Sequence, residues 1–330
     1  MRCLALFTGG LDSQIAVRLM QRQGIEVVGI CFHSVFSHPA LLSVASSAAK
    51  RLQIELKFEP HHNLLELIKR PRLGFAAEMA PCLDCRSSMV ARLKTLLEPL
   101  QASFLISGEV IGQRPSSLRS RDLATIAYHG DAENLLLRPL SAKLLPPTRP
   151  EVEGWVDRNQ LFDWHGRGRK EQIQLASEWG LTEPPGHRSG CMLLEPTYAA
   201  RLQKLLSITT HPSPFHLMAL KVGRHFWRSN RTHLVVAKNA DEGSHLEVLQ
   251  QNMPSSVILR PVSFRGPVAL LAGKIDDLAI ADAIGVVVQF SKDIVPLVSS
   301  VQLTGWNPSE ILIAKAPAAG EPRRFAGFTE

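Results

Sequence analysis

The chain has 330 residues, 45% hydrophobic and 20% charged, with a formal net charge of +7 and a pI of about 9.3. This composition argues against a disordered or fibrous chain, gives room for two domains, and admits an anionic partner without requiring one. No apolar run reaches membrane-span length, no signal-peptide pattern precedes the first strand, and the five cysteines are too few and too scattered for a disulfide scaffold. The expected setting is cytoplasmic with no membrane partner, and the thiols are expected to do redox, sulfur or metal chemistry.

The first predicted strand, Leu4-Ala5-Leu6-Phe7, runs into Thr8-Gly9-Gly10-Leu11-Asp12-Ser13, and a helical pattern follows with Ile15, Ala16, Leu19 and Met20 on one face. Strand, glycine turn and helix N-terminus form a phosphate-binding geometry: the backbone can approach an anion, and the free N–H groups of the first turn point at it. Thr8 and Ser13 add hydroxyls. Asp12, a carboxylate where phosphate would lie, makes chemical sense if it orients a metal ion or a backbone group. Neither the Gly-Lys-Ser/Thr ending of a Walker loop nor a Gly-x-Gly-x-x-Gly fingerprint is present. The plainer reading is an ordinary βα turn with an Asp/Ser cap.

Residues 25–32 read as a second, doubly buried strand, 39–52 as a helix, 54–58 as a strand, 63–69 and 86–98 as helices, and 104–107 as a strand. Such alternation predicts a doubly wound α/β domain with ligands at the carboxyl ends of its strands. Cys31 and His33 would lie on that edge, whereas Cys3 starts a strand and reads as a buried structural thiol.

Pro81-Cys82-Leu83-Asp84-Cys85-Arg86 is a C-x-x-C at a helix start, and a third cysteine, Cys191, lies far along the chain. Two thiols at this spacing can share a metal or exchange sulfur, and a helix N-terminus with Arg86 beside it would favour thiolate. Zinc is the less favoured metal, because it usually takes four ligands and only His187 offers a fourth. A cluster with one open iron and a persulfide carrier with resolving thiols both fit three cysteines. Farther on, Gly108 and Gly112 allow a turn, and Gln113 and Arg114 offer phosphate donors, with Arg138 and Lys143 as further candidates. Arg167, Arg169 and Lys170 form a basic cluster before a helix at 171–179 and are read as RNA-backbone contacts.

The two prolines of Thr209–Pro214 mark a boundary, giving domains at 1–207 and 215–330 with a linker at 208–214. Beyond it the pattern is α+β: strands at 215–222, 232–238, 257–260, 268–271 and 286–292, helices at 240–252 and 275–284, and an Ala/Pro/Gly-rich, frayed tail after Lys315 bearing Arg323 and Arg324. Lys221, Arg224, His225, Phe226 and Arg228, with Trp227, Arg231 and Lys238, read as a basic hairpin with interleaved rings, the usual make-up of an RNA surface. Ser291 and Lys292 could join it.

The loop at Thr8–Ser13 resembles the Ser-Gly-Gly-x-Asp-Ser loop of the PP-loop ATPases, with Thr8 in place of Ser. The stretches 108–115, 137–145 and 166–191, together with the three cysteines, resemble the ThiI-like tRNA sulfurtransferases, departing from them at Pro185-Gly186-His187-Arg188-Ser189-Gly190-Cys191, where Pro-Ala-Gly-Gly-Cys is the expected run. Residues 221–226, the helix after them and the Ser-Lys strand resemble an NFACT-R-type RNA-binding domain. These resemblances imply an α/β, doubly wound parallel sheet of adenine nucleotide alpha hydrolase (PP-loop) type with a second, smaller α+β domain. They imply an ATP-dependent tRNA uridine thiolation, giving 4-thiouridine or 2-thiouridine. Asp12, Cys82, Cys85 and Cys191 would be catalytic. Thr8, Gly9, Gly10, Asp12, Ser13, Phe32, His33, Gly108, Gln113 and Arg114 would bind ATP, with adenine near Phe32 and His33. The expected cofactors are ATP, Mg2+ and a 4Fe-4S cluster on Cys82, Cys85 and Cys191, with persulfide chemistry as the open alternative to the cluster. The expected partners are tRNA and a sulfur donor, either sulfide or a cysteine desulfurase; a homodimer is left open. Two other functions compete: adenylation of a small-molecule acceptor, and a non-catalytic RNA-binding adaptor.

Overall fold

The computed structural model describes residues 1–114, 116–182, 190–228, 231–291, 298–305, 311–315 and 328–329. Pro115, residues 183–189 with His187, Lys292, Arg323 and Arg324 lie outside the described residues. The chain divides into two compact units, Met1–Ala199 and Ala200–Glu330. The break falls eight residues earlier than the prolines suggest, inside a continuous helix.

In the first unit the elements are β1 (Arg2–Leu6), α1 (Leu11–Arg22), β2 (Glu26–His33), α2 (Leu41–Leu52), β3 (Glu55–Pro60), α3 (Leu64–Lys69), α4 (Cys82–Thr95), β4 (Phe104–Ser107), α5 (Ser120–His129), β5 (Leu136–Leu137), α6 (Arg149–Val152), α7 (Lys170–Glu178) and α8 (Pro196–Ile208), the last crossing the boundary. The five strands form one parallel sheet in the order β3-β2-β1-β4-β5. Strands with apolar residues on both faces need cover on both. Cys3, Ala5, Phe7 and Phe104 pack with Ile15, Leu19 and Ala45 on one side, and Leu4, Val28 and Leu105 pack with Val90, Leu93 and Ile126 on the other. The unit is therefore doubly wound, as its sequence predicts. Strand order reverses between β1 and β4, so the loops leaving these two strands flank the crevice where such sheets bind ligands.

The second unit contains α9 (Pro214–Ala219), β6 (Arg224–Arg228), β7 (Thr232–Val236), α10 (Ala240–Gln250), β8 (Ser256–Pro261), β9 (Ala269–Gly273), α11 (Asp277–Gln289), β10 (Val298–Thr304), β11 (Ile311–Lys315) and β12 (Phe328–Thr329). Its sheet is antiparallel, in the order β11-β10-β8-β9-β7-β6-β12. Phe226, Leu234 and Leu271 pack with Ala279, Ile280 and Val287 of α11, while Val235, Ile258 and Leu270 pack with Leu246 and Leu249 of α10 and with Ala219 of α9.

Three local expectations change. The strand predicted at 215–222 is α9: Pro214 occupies the first turn, and Ser213 caps it by accepting from the His216 N–H. Val286-Val287-Val288, read as the start of a strand, closes α11 instead, because its valines are buried under the sheet and packing outweighs β-branched propensity. Within the frayed tail, Phe328 and Thr329 pair with Arg228 and Trp227. No helix among the described residues is long and apolar enough to cross a membrane.

Candidate active site

The turn between β1 and α1 is shaped by close contact. Gly9 has φ +75°, and a Cβ on it would lie 2.8 Å from the Val44 carbonyl oxygen, so only glycine fits. Gly10 is the extended N-cap of α1, which leaves the N–H groups of the first turn directed out of the helix end. Ser13 Oγ donates back to the Gly10 carbonyl at 2.8 Å, so its proton serves the turn rather than an incoming phosphate. Gln14, wholly buried, donates from Nε2 to the Gly9 carbonyl at 2.8 Å and the Thr182 carbonyl at 3.0 Å.

The loop after β4 abuts this turn. A Cβ on Gly108 would fall 2.6 Å from Asp12 C and Ser13 N, and Gln113 Nε2 donates to Asp12 Oδ2 at 2.9 Å. The two loops border a cavity of about 770 Å³ whose lining includes Thr8, Gly10, Asp12 and Ser13 from the first, and Gly108, Gln113 and Arg114 from the second. Phe32 and His33, at the end of β2, also line it. Gly9 supports the turn from behind, packed on α2.

All three cysteines of interest line the same cavity. The helix predicted at 86–98 starts earlier, at Cys82, so Cys82 and Cys85 both sit in the first turn of α4, on one face. The Cys191 strand segment bridges to Ser37, and Met192 N–H donates to the Phe36 carbonyl at 2.8 Å, which ties Cys191 to the loop after β2. Cys3 is buried in β1, and Cys31, also buried, is no part of the cavity lining; burial pushes the Cys31 thiol up to about 12.

His61, absent from the sequence reading, stands beside these thiols. Its Nδ1 is 3.9 Å from Cys85 Sγ and its Nε2 is 2.7 Å from Ser88 Oγ. Ser88 Oγ also lies 2.9 Å from the Cys85 carbonyl, to which it donates. A hydroxyl has one proton, so His61 Nε2 is the donor toward Ser88, and this assignment leaves Nδ1 as an acceptor facing the thiol. Burial, with His62 adding to it, lowers the His61 pKa and favours the neutral ring. The expected thiolate at Cys85 is corrected: burial raises its pKa, Cys191 and Cys82 raise it further, and Arg86 offsets only part of this. Burial raises Cys191 likewise, against the backbone N–H of Leu193 and Arg114. The donor chemistry of three thiols suits a soft metal or cluster, but among the described residues no three His, Cys, Asp or Glu side chains are gathered as a metal-holding group. The thiols face a shared cavity without forming a closed coordination sphere.

Glu109 anchors the β4 loop. It accepts from Arg138 Nε at 2.9 Å and Ser107 Oγ at 3.0 Å, and Arg86 Nε is 3.6 Å away. Burial alone would raise its carboxyl, but Arg138 and Arg86 hold it below its ordinary value. Arg138 is thus a buried structural cation, also bonded to the Leu123 carbonyl, and not a phosphate donor. Lys143 donates to the Asn159 carbonyl at 3.0 Å, and neither residue lines the cavity. Arg167 and Arg169 do line it, while Lys170 begins α7.

The hairpin of the second unit differs from its expected role. Phe226 is fully buried and His225 and Trp227 nearly so, so their rings are unavailable for stacking on bases. His225 Nδ1 meets His233 Nε2 at 2.9 Å, and Trp227 stacks on His233 at 3.8 Å. Burial pushes His225 down to about 3. Arg228 lies 3.5 Å from Asp276 and 3.2 Å from Asp282, and the Arg224 guanidinium sits 4.8 Å over the Phe290 ring. Lys221 lies in the half-buried turn before β6, its N–H donating to the Met218 carbonyl at 3.0 Å.

Residues 1–142 match the family model described as thiamine biosynthesis protein (ThiI), and residues 223–321 match that of the NFACT protein RNA binding domain. A probable tRNA sulfurtransferase of Methanobrevibacter smithii is 29% identical over 147 residues, 42% of this chain and 37% of that protein. The tRNA-specific 2-thiouridylase MnmA of Xanthobacter autotrophicus is 26% identical over 249 residues, 68% of this chain and 59% of that protein. The chain therefore spans less than two thirds of either relative's length. A solved 4-thiouridine synthetase–RNA complex with bound ATP is 19% identical, covering 55% of this chain and 41% of that one at a TM-score of 0.39, too loose to bear on any residue. The chain is thus similar to the ThiI family model over residues 1–142 and to the model of the NFACT protein RNA binding domain over residues 223–321.

Proposed function

We propose that this protein is an ATP-dependent tRNA sulfurtransferase that replaces a uracil carbonyl oxygen with sulfur, giving 4-thiouridine or 2-thiouridine. The observation that carries this reading is that the anion cradle at Thr8–Ser13 and the thiols of Cys82, Cys85 and Cys191 line one cavity. The names of the two curated relatives, a tRNA sulfurtransferase and a tRNA 2-thiouridylase, support it.

Replacing a carbonyl oxygen by sulfur needs the oxygen made into a leaving group. The uracil oxygen attacks the α-phosphorus of ATP, pyrophosphate leaves, a sulfur nucleophile attacks the activated carbon, and AMP departs. The first-turn N–H groups of α1 would stabilise charge on the departing pyrophosphate. Asp12, held by Gln113, would orient the Mg2+ that accompanies ATP, and Phe32 and His33 would border the base. One of these thiols would receive a sulfane sulfur from a desulfurase persulfide; the outer sulfur attacks the activated carbon as AMP departs, a facing thiol then displaces the thiouridine sulfur by attacking the inner sulfur, and the disulfide so formed is reduced by an external thiol. Were a 4Fe-4S cluster bound, Cys82, Cys85 and Cys191 would be the residues to hold it, and it would supply sulfur at the sulfide level. The residue-level RNA contacts of the second unit belong elsewhere than on Phe226 and His225.

The test is conversion of unmodified tRNA by the purified protein with ATP, a dithiol reductant and labelled sulfide, or cysteine plus a desulfurase, read by nucleoside mass spectrometry under air and anaerobically. Thiouridine with one AMP per sulfur is expected, and Cys191→Ala should abolish it. Absence of thiouridine under both atmospheres with every donor would overturn the proposal. Absorbance and iron and zinc counts on anaerobic protein decide between cluster and bare thiols.

A further inference from the structure

The sequence places Arg167, Arg169 and Lys170 in one basic cluster, but the fold separates them. Residues 162–166 are laid along the loops that follow β4 and β5. Phe162 N–H donates to the Pro139 carbonyl at 3.0 Å, Trp164 N–H to the Leu140 carbonyl at 2.9 Å, and Gly166 N–H to the Ile111 carbonyl at 2.7 Å. Ser141 Oγ lies 2.6 Å from the Trp164 carbonyl, to which it donates, while accepting from Ile111 N–H at 3.0 Å. Ile111 and His165 form a parallel bridge. The segment is thus an extra strip beside the β4 loop, and where it ends Arg167 and Arg169 line the cavity while Lys170 does not.

Arg169 Nη2 lies 3.8 Å from Asp12 Oδ1, and the other oxygen of that carboxylate takes the Gln113 amide. A cation reaching across to the cradle's one carboxylate, with a second arginine two residues away on the same wall, is the arrangement that grips a polyphosphate. Guanidinium forks match phosphate oxygens in pairs, and the first turn of α1 supplies N–H groups opposite. The cavity's other acidic residue, Glu109, is already held by Arg138 and Arg86, so it does not cancel this charge.

We propose that Arg167 and Arg169 form the second jaw of the nucleotide site, gripping the pyrophosphate end of the triphosphate, and that Arg169 occupies Asp12 until that end arrives. When nucleotide and its metal enter, Asp12 turns to the metal and Arg169 to the phosphates, so the empty cradle never leaves a half-buried carboxylate without a cation. The proposal rests on the ATP-dependent reading above and replaces the RNA-backbone role expected for these two residues.

The test needs no turnover. Inorganic pyrophosphate with Mg2+, ATP with Mg2+, and separately unmodified tRNA, are titrated calorimetrically into the full-length wild type, Arg169→Gln, Arg169→Lys and Arg167→Gln, with thermal melts to show that each variant is folded. Arg169→Gln and Arg167→Gln are expected to weaken pyrophosphate binding about tenfold or more, the scale of one charge-assisted hydrogen bond, with tRNA affinity and its salt slope unchanged. Arg169→Lys should restore part of the loss as a point charge. If the glutamine variants bind pyrophosphate as the wild type does, or lose tRNA affinity instead, the second jaw is wrong while the ATP-dependent reading stands. Wild type that binds neither pyrophosphate nor ATP overturns both.

Discussion

The β4 loop depends on a charge cluster more than on its glycines alone. Glu109 and Arg138 are both largely buried, with side-chain exposures of 12% and 6%, and burial of such a pair is tolerable only while each has the other. Glu109→Gln would leave Arg138 buried without its anion, and a loss of roughly 3–5 kcal/mol is expected, together with weaker nucleotide binding through displacement of Gly108 and Gln113. The pH dependence has a definite sign. The folded-state carboxyl sits below its ordinary 4.5, so its stabilisation is fully present above 4.5 and is lost as pH falls through the lowered folded value. Urea denaturation should show the gap between wild type and variant full at pH 7 and narrowing below 4.5; a gap independent of pH would remove the ion pair from the explanation. This cluster was hidden in the sequence because an Arg and a Glu 29 positions apart carry no periodic signal. His61 was hidden differently. It follows β3 directly, at the carboxyl strand end where doubly wound folds place their sites, so the position pointed to it even though no motif did. The glycines Gly9 and Gly108 were legible because the close backbone approach at this strand–helix turn admits no Cβ.

At the scale of elements, the β6–β7 hairpin shows why alternation can mislead. A strand covered on one side presents a wet face, and its polar and aromatic alternation tells inside from outside. Here α11 covers one face and α9 with α10 the other, so Phe226 and its neighbour Trp227 are both buried. The basic residues alternate with rings but are spent within the unit, Arg228 on two aspartates and Arg224 over Phe290. Phe226→Ala should therefore destabilise the chain by roughly 3–5 kcal/mol, the usual cost of emptying a buried phenylalanine site. tRNA affinity per folded molecule should be unchanged at a temperature well below the variant's Tm. A folded variant with affinity down tenfold would return the ring to the RNA surface. The valine run of α11 looked like a strand for a related reason: Val286, Val287 and Val288 are buried one after another, so the end of the helix lacks the 3.6-residue polar rhythm that identifies one, although Leu278 at its start is exposed.

Across the whole molecule, each matched family segment falls within one compact unit, residues 1–142 in the first and 223–321 in the second, and each unit has its own apolar clusters. The proposed function would then divide its labour, nucleotide and sulfur chemistry in one unit and a grip on nucleic acid in the other. The division falls inside α8, whose residues make contacts within each unit. Tyr198 packs edge-on to Phe36, centroids 6.4 Å apart, in the first unit, whereas Arg201 donates to the Leu220 carbonyl at 3.0 Å in the second. A cut at the prolines would strip the second unit of that contact, so the fragments to compare are residues 1–212 and 196–330, which share the helix. The first should bind Mg-pyrophosphate like the intact chain and bind tRNA at least tenfold more weakly. The second should bind tRNA with an affinity that falls steeply with salt, as phosphate contacts require, and should not bind pyrophosphate. Mixing the two should not restore thiolation at concentrations where the intact chain is active, because covalent connection sets the effective concentration of the captured tRNA near the cavity. If residues 1–212 alone bind tRNA as tightly as the full chain, the grip lies in the first unit and the second must be assigned another role.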